Sequence, residues 1–388
     1  MLSSLQKVKS MNILLLTNFT PDNQKSMLRF GATLLREFSN DRNVNLENIF
    51  PKPVFTKLPQ LPKLKKWSAY LDKYSLFPAR FKREILKKNR SIDLIHIIDH
   101  SNAPYLAKVN SISEAKKLVT CHDLIAIQTA LGEFPEAPAS SKTGKVLQKW
   151  ILKSLNLADH YACDSKETQN HLNRLITNSS TKSSVIHLGT KRETPRHETE
   201  SSASRNEFPF DLEKNLYILH VGSAAWYKNR KAVFRSFYNF LERYPTKKIK
   251  LLLIGPEPQE EELDPDLKDW FKMKSNWFAL ENISEDGLSL IYKHANVLLF
   301  PSFIEGFGWP PLEGSLHGCP VITNKTGAIY DLLGENAFYI NPYEQSSIDL
   351  ALQGILEGTS PPMVQVKLPT HEDCREMYFK LYQKIIQY

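Results

Sequence analysis

Two carboxylates, Glu305 and Glu313, stand in a run that reads FPSFIEGFGWPPLEGSLHGCPVIT over residues 300–323. A short apolar stretch leads into Pro301, and a loop follows that holds Glu305, Gly306, Phe307 and Gly308. Pro310 and Pro311 then fix φ at values suited to a helix start. The predicted helix carries Leu312, Glu313 and Leu316 and closes at Gly318. A helix opening at that point offers unpaired backbone N–H groups and the positive end of its dipole, which favour phosphate. Gly306 and Gly308 let the backbone approach a ligand closely. Carboxylates repel phosphate, so Glu305 and Glu313 suit another task, accepting hydrogen bonds from the hydroxyls of a ribose or a sugar ring. Amides for phosphate beside carboxylates for hydroxyls predict a sugar-nucleotide site.

Further polar groups follow apolar runs. Residues 220–230 read HVGSAAWYKNR: the run ends in Gly222 and Ser223, and Lys228, Asn229 and Arg230 precede a helix. At residues 120–124, TCHDL places His122 directly after a buried strand, at the carboxyl edge of a sheet, with Asp123 next to it to orient the imidazole or bond backbone. His96, Asp99 and His100 end another strand and are acceptor-side candidates. The first loop, residues 18–31, offers Lys25 and Ser26 and has one glycine, Gly31, already inside the following helix.

The elements that must position these residues are short apolar runs alternating with helical patterns. In the first half the runs are Met11–Leu16, residues 92–98, 118–121 and 161–163, and 184–188, with a helical pattern at Lys166–Leu175 among others. Residues 190–211 are rich in Ser, Glu, Arg and Pro without apolar period, and read as a polar linker. The same alternation restarts at Leu216–Val221 and continues through residues 250–254, 295–300 and 320–323, with an amphipathic helix over residues 231–244. Buried runs alternating with helices in both halves predict two doubly wound α/β domains with parallel sheets. Ligands in such sheets lie at the carboxyl ends of the strands, where the polar groups above fall.

The run around Glu305 and Glu313 resembles the E-x7-E signature of family-four retaining glycosyltransferases, with the E-G-F-G loop and the G-C-P-V-I strand in register around the glutamates. The resemblance is sharp over residues 216–341 and faint before Cys121. It implies the GT-B fold: two Rossmann-like domains facing across a cleft. The expected division is an acceptor domain at 1–190, a linker at 191–211, a donor domain at 212–370 and a helix at 371–388 returning to the first domain. By resemblance Glu313 holds the ribose hydroxyls, Glu305 sits by the donor sugar and distal phosphate, and the amides of Gly306, Phe307 and Gly308 contact the sugar. Gly222, Ser223, Lys228 and Arg230 complete the donor site, with Lys228 neutralising the diphosphate. His122, Glu305 and Lys228 are the expected catalytic group, and Asp123, His100 and Ser26 face the acceptor.

The sequence departs from the family at three places: Tyr227 replaces the usual arginine, Ser223 stands where many members carry another arginine, and the first loop lacks a Gly-Gly pair. Arg230 is the expected stand-in for the missing arginine. The implied activity is metal-independent, configuration-retaining transfer of a hexose, mannose- or glucose-type, from a GDP- or UDP-linked donor to an acceptor hydroxyl, in polysaccharide or glycolipid synthesis, with no cofactor. A sugar-nucleotide epimerase or a phosphorylase shares the architecture. A catalytically degenerate GT-B protein binding glycan or membrane within a synthesis complex is the alternative from outside enzymology.

Bulk properties agree with these expectations. A chain of 388 residues has room for two to three domains. No apolar run approaches the ~18 residues that span a bilayer, the N-terminus has no apolar signal core, and Met11 is an alternative start. Four separated cysteines form no CxxC pair, so neither zinc nor a disulfide framework is suggested and a cytoplasmic setting is expected. Of the net charge of +8, residues 52–90 alone carry +10, from twelve Lys/Arg against Asp72 and Glu84. Aromatic residues interleave there. That segment reads as a solvated helical face, as a surface for an anionic membrane or lipid-linked acceptor on the inner face of the membrane, or, least in keeping, as a nucleic-acid surface.

Overall fold

The structure, a computed structural model, describes residues 10–58, 62–88, 92–190, 207–272, 276–359 and 366–387. The polar linker expected over residues 190–211 falls largely outside them, as do parts of the basic segment and the side chain of Lys25. The chain divides into two units. Unit 1 comprises Met1–Glu133, Ala139–Arg192 and Pro369–Tyr388; unit 2 comprises Phe134–Pro138 and Glu193–Leu368.

Unit 1 is wound around six strands: β1 (Met11–Leu16), β2 (Val44–Ile49), β3 (Leu94–Ile97), β4 (Lys116–Cys121), β5 (His160–Cys163) and β6 (Ser183–Val185). Between and directly after them lie α1 (Lys25–Phe38), α2 (Pro62–Leu71), α3 (Phe77–Lys88), α4 (Leu106–Asn110), α5 (Ile125–Leu131), α6 (Lys142–Leu155) and α7 (Lys166–Leu175). The strands pair in parallel in the order β2-β1-β3-β4-β5-β6. With helices on both faces a parallel strand is buried on both sides, which is why β3 and the second half of β4 are fully buried and mostly apolar. One face packs Leu14, Leu16, Ile95, Ile97 and Val119 in the same core as Phe77, Phe81 and Ile85 of α3. Truncating a ring as buried as Phe81 to alanine costs about 3–5 kcal/mol.

Unit 2 repeats the plan with β7 (Leu216–Val221), β8 (Ile249–Ile254), β9 (Trp277–Leu280), β10 (Val297–Phe300), β11 (Val321–Thr323) and β12 (Phe338–Tyr339), in the order β12-β11-β10-β7-β8-β9. Its helices are α8 (Arg230–Arg243), α9 (Lys268–Lys272), α10 (Glu285–His294), α11 (Trp309–Leu316), α12 (Ile329–Leu333) and α13 (Gln345–Leu356). The last helix, α14 (His371–Gln387), belongs to unit 1, where Tyr382 bonds His96 of β3 (2.8 Å) and Tyr378 bonds Thr120 of β4 (3.0 Å).

Both sheets change direction once. In unit 1 the chain leaves β1 toward β2 and returns to β3 on the other side. In unit 2 it leaves β7 toward β8 and β9, then returns to β10. The crevice outside the carboxyl ends of β1/β3 and of β7/β10 is therefore where each sheet offers a binding site.

Candidate active site

In unit 2 the crevice between β7 and β10 is framed by the loops that follow these strands. Lys228 lies in a helical turn, Trp226–Lys228, after β7, and Glu305 lies in the loop after β10. Their side chains meet: Lys228 Nζ donates to both Glu305 oxygens, at 2.8 and 3.0 Å. Both are largely buried, with side chains 13% and 7% exposed, so charge pairing rather than water satisfies them. The ammonium also lies 4.8 Å from the centre of the Phe300 ring.

Several residues hold this pair in place. Asn229 takes the left-handed conformation (φ +52°), which asparagine tolerates, and begins α8. Its buried amide donates to the carbonyls of Pro301 (3.2 Å) and Pro342 (3.1 Å), tying the β7 loop to the β10 loop. The Phe303 N–H donates to the Tyr227 carbonyl (2.8 Å), and the Glu305 N–H donates to the Thr326 hydroxyl (3.0 Å). Gly222 lies over the stem of Lys228, which a Cβ there would approach to 3.6 Å. Gly255 at the end of β8 has φ +147°, and a Cβ would stand 2.1 Å from the Gly222 carbonyl oxygen, so only glycine lets the two strand ends close. Asn229 was matched by its type alone, and Thr326 and Gly255 carried no chemical signal in the sequence. Ser223 is exposed beside Gly222.

Gly308 caps α11 with φ +89°, where a Cβ would fall 2.5 Å from Ile329. Gly306 and Phe307 are buried beside it. The helix start is poorer in donors than its position suggests. Of the cap and the first three helical residues, Pro310 and Pro311 have no N–H, leaving those of Gly308 and Trp309 with the dipole. Glu313 sits one turn further on, half-buried, and accepts from the Tyr292 hydroxyl of α10 at 3.2 Å. Burial, reinforced by the Glu313 charge, raises the Tyr292 phenol well above its ordinary range, so it stays a donor.

Arg230 does not join this pair. Its buried guanidinium donates to the Pro256 carbonyl (2.9 Å) and lies 3.4 Å from Glu262. Both partners follow β8, on the opposite side of β7 from Glu305. The cation expected to replace a missing arginine thus faces a carboxylate across β7 from Glu305, with its Nε and one terminal nitrogen buried without a hydrogen bond. Beneath the loop His220 is buried, with Nδ1 donating to the Leu299 carbonyl (2.9 Å). Burial, with the Arg230 and Lys228 charges acting in the same sense, pulls it down to about 3 and keeps it neutral.

In unit 1 the strand-end residues form a second polar cluster. Asn18 after β1 donates to Asp99 after β3 at 2.5 Å, and Asn102 donates to Asn18 at 2.9 Å. Burial tends to raise the Asp99 carboxyl, but the charges of His100 and His122, the Ser101 N–H and the Asn18 amide outweigh it and lower it. His100 is buried, its Nδ1 3.5 Å from Asp99. His122 is buried after β4. Asp123 does not orient it; its carboxylate accepts from the Ile125 N–H (3.0 Å) at the start of α5. The residue that meets the imidazole is Asp164 after β5, at 2.5 Å, a position no motif had singled out. His96 is committed to Tyr382 and Thr120, and burial pulls it down to about 3. Ser26 is exposed on the first turn of α1. Gly31 is a packing residue: a Cβ there would lie 2.8 Å from Ile98.

Among the described residues no three His, Cys, Asp or Glu side chains cluster as a metal site, and no helix is long and apolar enough to cross a membrane.

Comparison with known proteins gives this arrangement a context. Residues 215–357 match the model of the family described as glycosyl transferases group 1. The chain is 27% identical over 161 residues to the O-antigen chain mannosyltransferase RfbU of Salmonella typhimurium, covering 40% of this chain and 42% of that protein. It is 23% identical over 182 residues to the O-antigen chain mannosyltransferase B of Escherichia coli, covering 45% and 47%. The matches thus span less than half the length of these curated relatives. Among solved structures, sucrose-phosphate synthase from Thermosynechococcus elongatus superposes with a TM-score of 0.71 at 17% identity, covering 97% of this chain and 99% of that one.

Proposed function

We propose that this chain, whose residues 215–357 match the group 1 glycosyl transferases and which has the GT-B fold, moves a hexose from a nucleoside-diphosphate sugar to an acceptor hydroxyl. The observation that carries this reading is the Lys228–Glu305 pair at the switch point of unit 2. A buried ammonium at that edge is the group a diphosphate needs, and a buried carboxylate is the group a sugar hydroxyl needs. When the donor binds, Lys228 exchanges Glu305 for a phosphate oxygen, and Glu305 is released to accept from the sugar. Glu313 takes the ribose hydroxyls, and the N–H groups of Gly308 and Trp309 with the α11 dipole add to the positive field. The bond from the anomeric carbon to the phosphate oxygen breaks, with the growing negative charge met by Lys228. The acceptor oxygen bonds the anomeric carbon and passes its proton to the departing phosphate oxygen. Attack on the face that the diphosphate leaves retains the configuration, and the lysine and helix dipole do the work a metal would otherwise do. A mannose-type donor sugar and a polysaccharide acceptor are in keeping with the two O-antigen relatives.

The acceptor side of the proposal includes the basic segment of unit 1. Asp72, buried in the π-helical turn between α2 and α3, accepts from the N–H groups of Val54, Phe55 and Thr56 and from the Thr56 hydroxyl. This clamp holds a loop whose Val54, Phe55 and Leu58 are exposed, near α2 with its exposed Trp67 and Leu71. Apolar side chains held out to solvent among cations suit the anionic surface of a membrane carrying a lipid-linked acceptor. Co-sedimentation with vesicles containing phosphatidylglycerol, lost on Trp67→Ser with Leu71→Ser, is the expected result. Failure to bind at both low and high salt removes this part.

The test of the main reading is a thermal-shift series with UDP, GDP, ADP, TDP and CMP. A ligand that binds only the native state at about 100 times its dissociation constant adds about 2.7 kcal/mol. One nucleotide should stand out, and Lys228→Ala should abolish its shift. A flat response to all five favours the degenerate glycan- or membrane-binding alternative.

A further inference from the structure

His122 looks at first like a general base, yet the geometry leaves it nothing to offer a substrate through its ring nitrogens. Nε2 lies 2.8 Å from the Ile98 carbonyl oxygen, and Nδ1 lies 2.5 Å from Asp164 Oδ2. A carbonyl can only accept, so Nε2 carries a hydrogen. If Nδ1 then kept a bare lone pair, it would face a carboxylate lone pair at 2.5 Å, so a second proton must lie in that bond. The ring is also held edge-to-face against Phe30 of α1 (centroids 5.0 Å apart, 83°), and its main-chain oxygen accepts from Thr168 of α7 at 3.3 Å. Imidazole and carboxylate are both buried, with side chains 6% and 1% exposed.

We propose that His122 is a locked imidazolium rather than a proton-transfer group, and that Asp164 is the positioning residue that aims it and keeps it charged. The charged and titratable groups around it favour this state. Asp164 faces it from β5 and Asp99 from β3, both acidic. His96 on β3 is committed to Tyr382 and Thr120 and stays neutral. His100 lies against Asp99. Asp123 and His187 act on Asp164, in opposite senses. Burial alone lowers His122, but the charge and hydrogen bond of Asp164 and the charge of Asp99 more than offset it and raise it to about 9. His122 then supplies unit 1 with a fixed positive charge at the carboxyl edge of its sheet. The geometry puts one proton on Nε2 and a second in the Nδ1–Asp164 bond; burial raises the Asp164 carboxyl, and the nearby Asp99 charge favours holding that proton on the imidazole. Its use in transfer rests on the glycosyltransferase reading.

The test uses the whole protein labelled with 15N-histidine, with the His122 signals identified by their loss in His122→Gln. Both ring nitrogens of His122 should show the protonated pattern at pH 7 and keep it through pH 8. Asp164→Asn should lower its protonation constant about 100-fold, a shift of some two pKa units. A neutral pattern in the wild type at pH 7, or a titration unmoved by Asp164→Asn, overturns the proposal whether or not the protein is a transferase. If Asp164→Asn does not fold, the wild-type spectrum alone decides the charge. Where transfer is measurable, Asp164→Asn should lower kcat and move the alkaline limb of its pH profile to lower pH, with Asp164→Glu restoring both. An unmoved profile with the NMR shift in place would confine Asp164 to a structural role.

Discussion

The crevice of unit 1, between β1 and β3, and that of unit 2, between β7 and β10, are built by the same change of direction and filled in opposite ways. In unit 1 most of the strand-end polar atoms are shared, though His100 Nδ1 and Asp164 Oδ1 make no hydrogen bond. Asp99 accepts from Asn18 and from the Ser101 N–H and lies beside His100, and His122 is fixed at both nitrogens. In unit 2 the hydrogen bonds of the Lys228 ammonium go to Glu305. An incoming anion has one partner to displace in unit 2 and a network to dismantle in unit 1. The contrast teaches that a strand-end histidine and a strand-end lysine, equally conspicuous in sequence, differ in function according to how many partners hold them. On the proposed function unit 2 exchanges ligands, and on the proposed charge of His122 unit 1 keeps its charge where it is.

The sharpest way to break the comparison is Lys228→Ala, which should lower transfer by about 10²–10³-fold, the usual cost of removing one electrostatic stabiliser of a leaving group. Steady-state kinetics with the donor found by thermal shift would check it, and a loss under about 3-fold would place the charge elsewhere. Stability should respond next. Glu305→Ala strands a largely buried ammonium and should cost about 3–5 kcal/mol, whereas replacing the pair together, Lys228→Met with Glu305→Leu, should be close to neutral by denaturant unfolding. Gly255→Ala puts a side chain on the Gly222 carbonyl and should cost roughly 3 kcal/mol, read in the same experiment.

The pH response should then separate the units. His96 in unit 1 and His220 in unit 2 are each pulled down to about 3, below the ordinary value of about 6.5. Each contributes stability above pH ~6.5 that is lost as pH falls toward 3, so both units weaken in acid. His122 is raised to about 9, so its contribution is full below pH ~6.5 and fades as pH rises through 9. Hydrogen exchange compared at pH 6 and 9.5, corrected for intrinsic rates, should show the alkaline loss in β4 and β5 of unit 1, and His122→Gln should remove that dependence. The smallest effect expected is that of Tyr382→Phe, which strips one hydrogen bond from His96 and should cost about 1–2 kcal/mol.

How much of this was legible in the sequence depended on whether a residue announces itself locally. The doubly wound plan was visible because β1, β3, β7 and β10 are buried on both faces and so appear as apolar runs. β2 was missed because in its sequence, VNLENI, polar residues break up the apolar ones; it is a sheet edge with half its residues exposed. β12 has two residues and no pattern to read. Lys228 and Glu305 stood out through their motifs, but 77 positions separate them and only the order of strands joins them. Asp164 and Thr326 gave no signal, since their roles depend on neighbours 42 and 21 residues away. Arg230 shows the converse. Its type and place suggested a phosphate ligand, and the structure sets it toward Pro256 and Glu262 after β8, neighbours that no motif announced.

The return of α14 to unit 1 has a consequence for the order in which the protein is made. Synthesis delivers β3 and β4 early, but the hydroxyls that satisfy His96 and Thr120 are on Tyr382 and Tyr378. Until residue 382 leaves the ribosome, the first sheet carries a histidine and a threonine in its core without those partners. All of unit 2 must be translated in the meantime. The nascent chain therefore spends most of its synthesis with its earliest domain unfinished, and an interruption late in translation would damage the part that was made first.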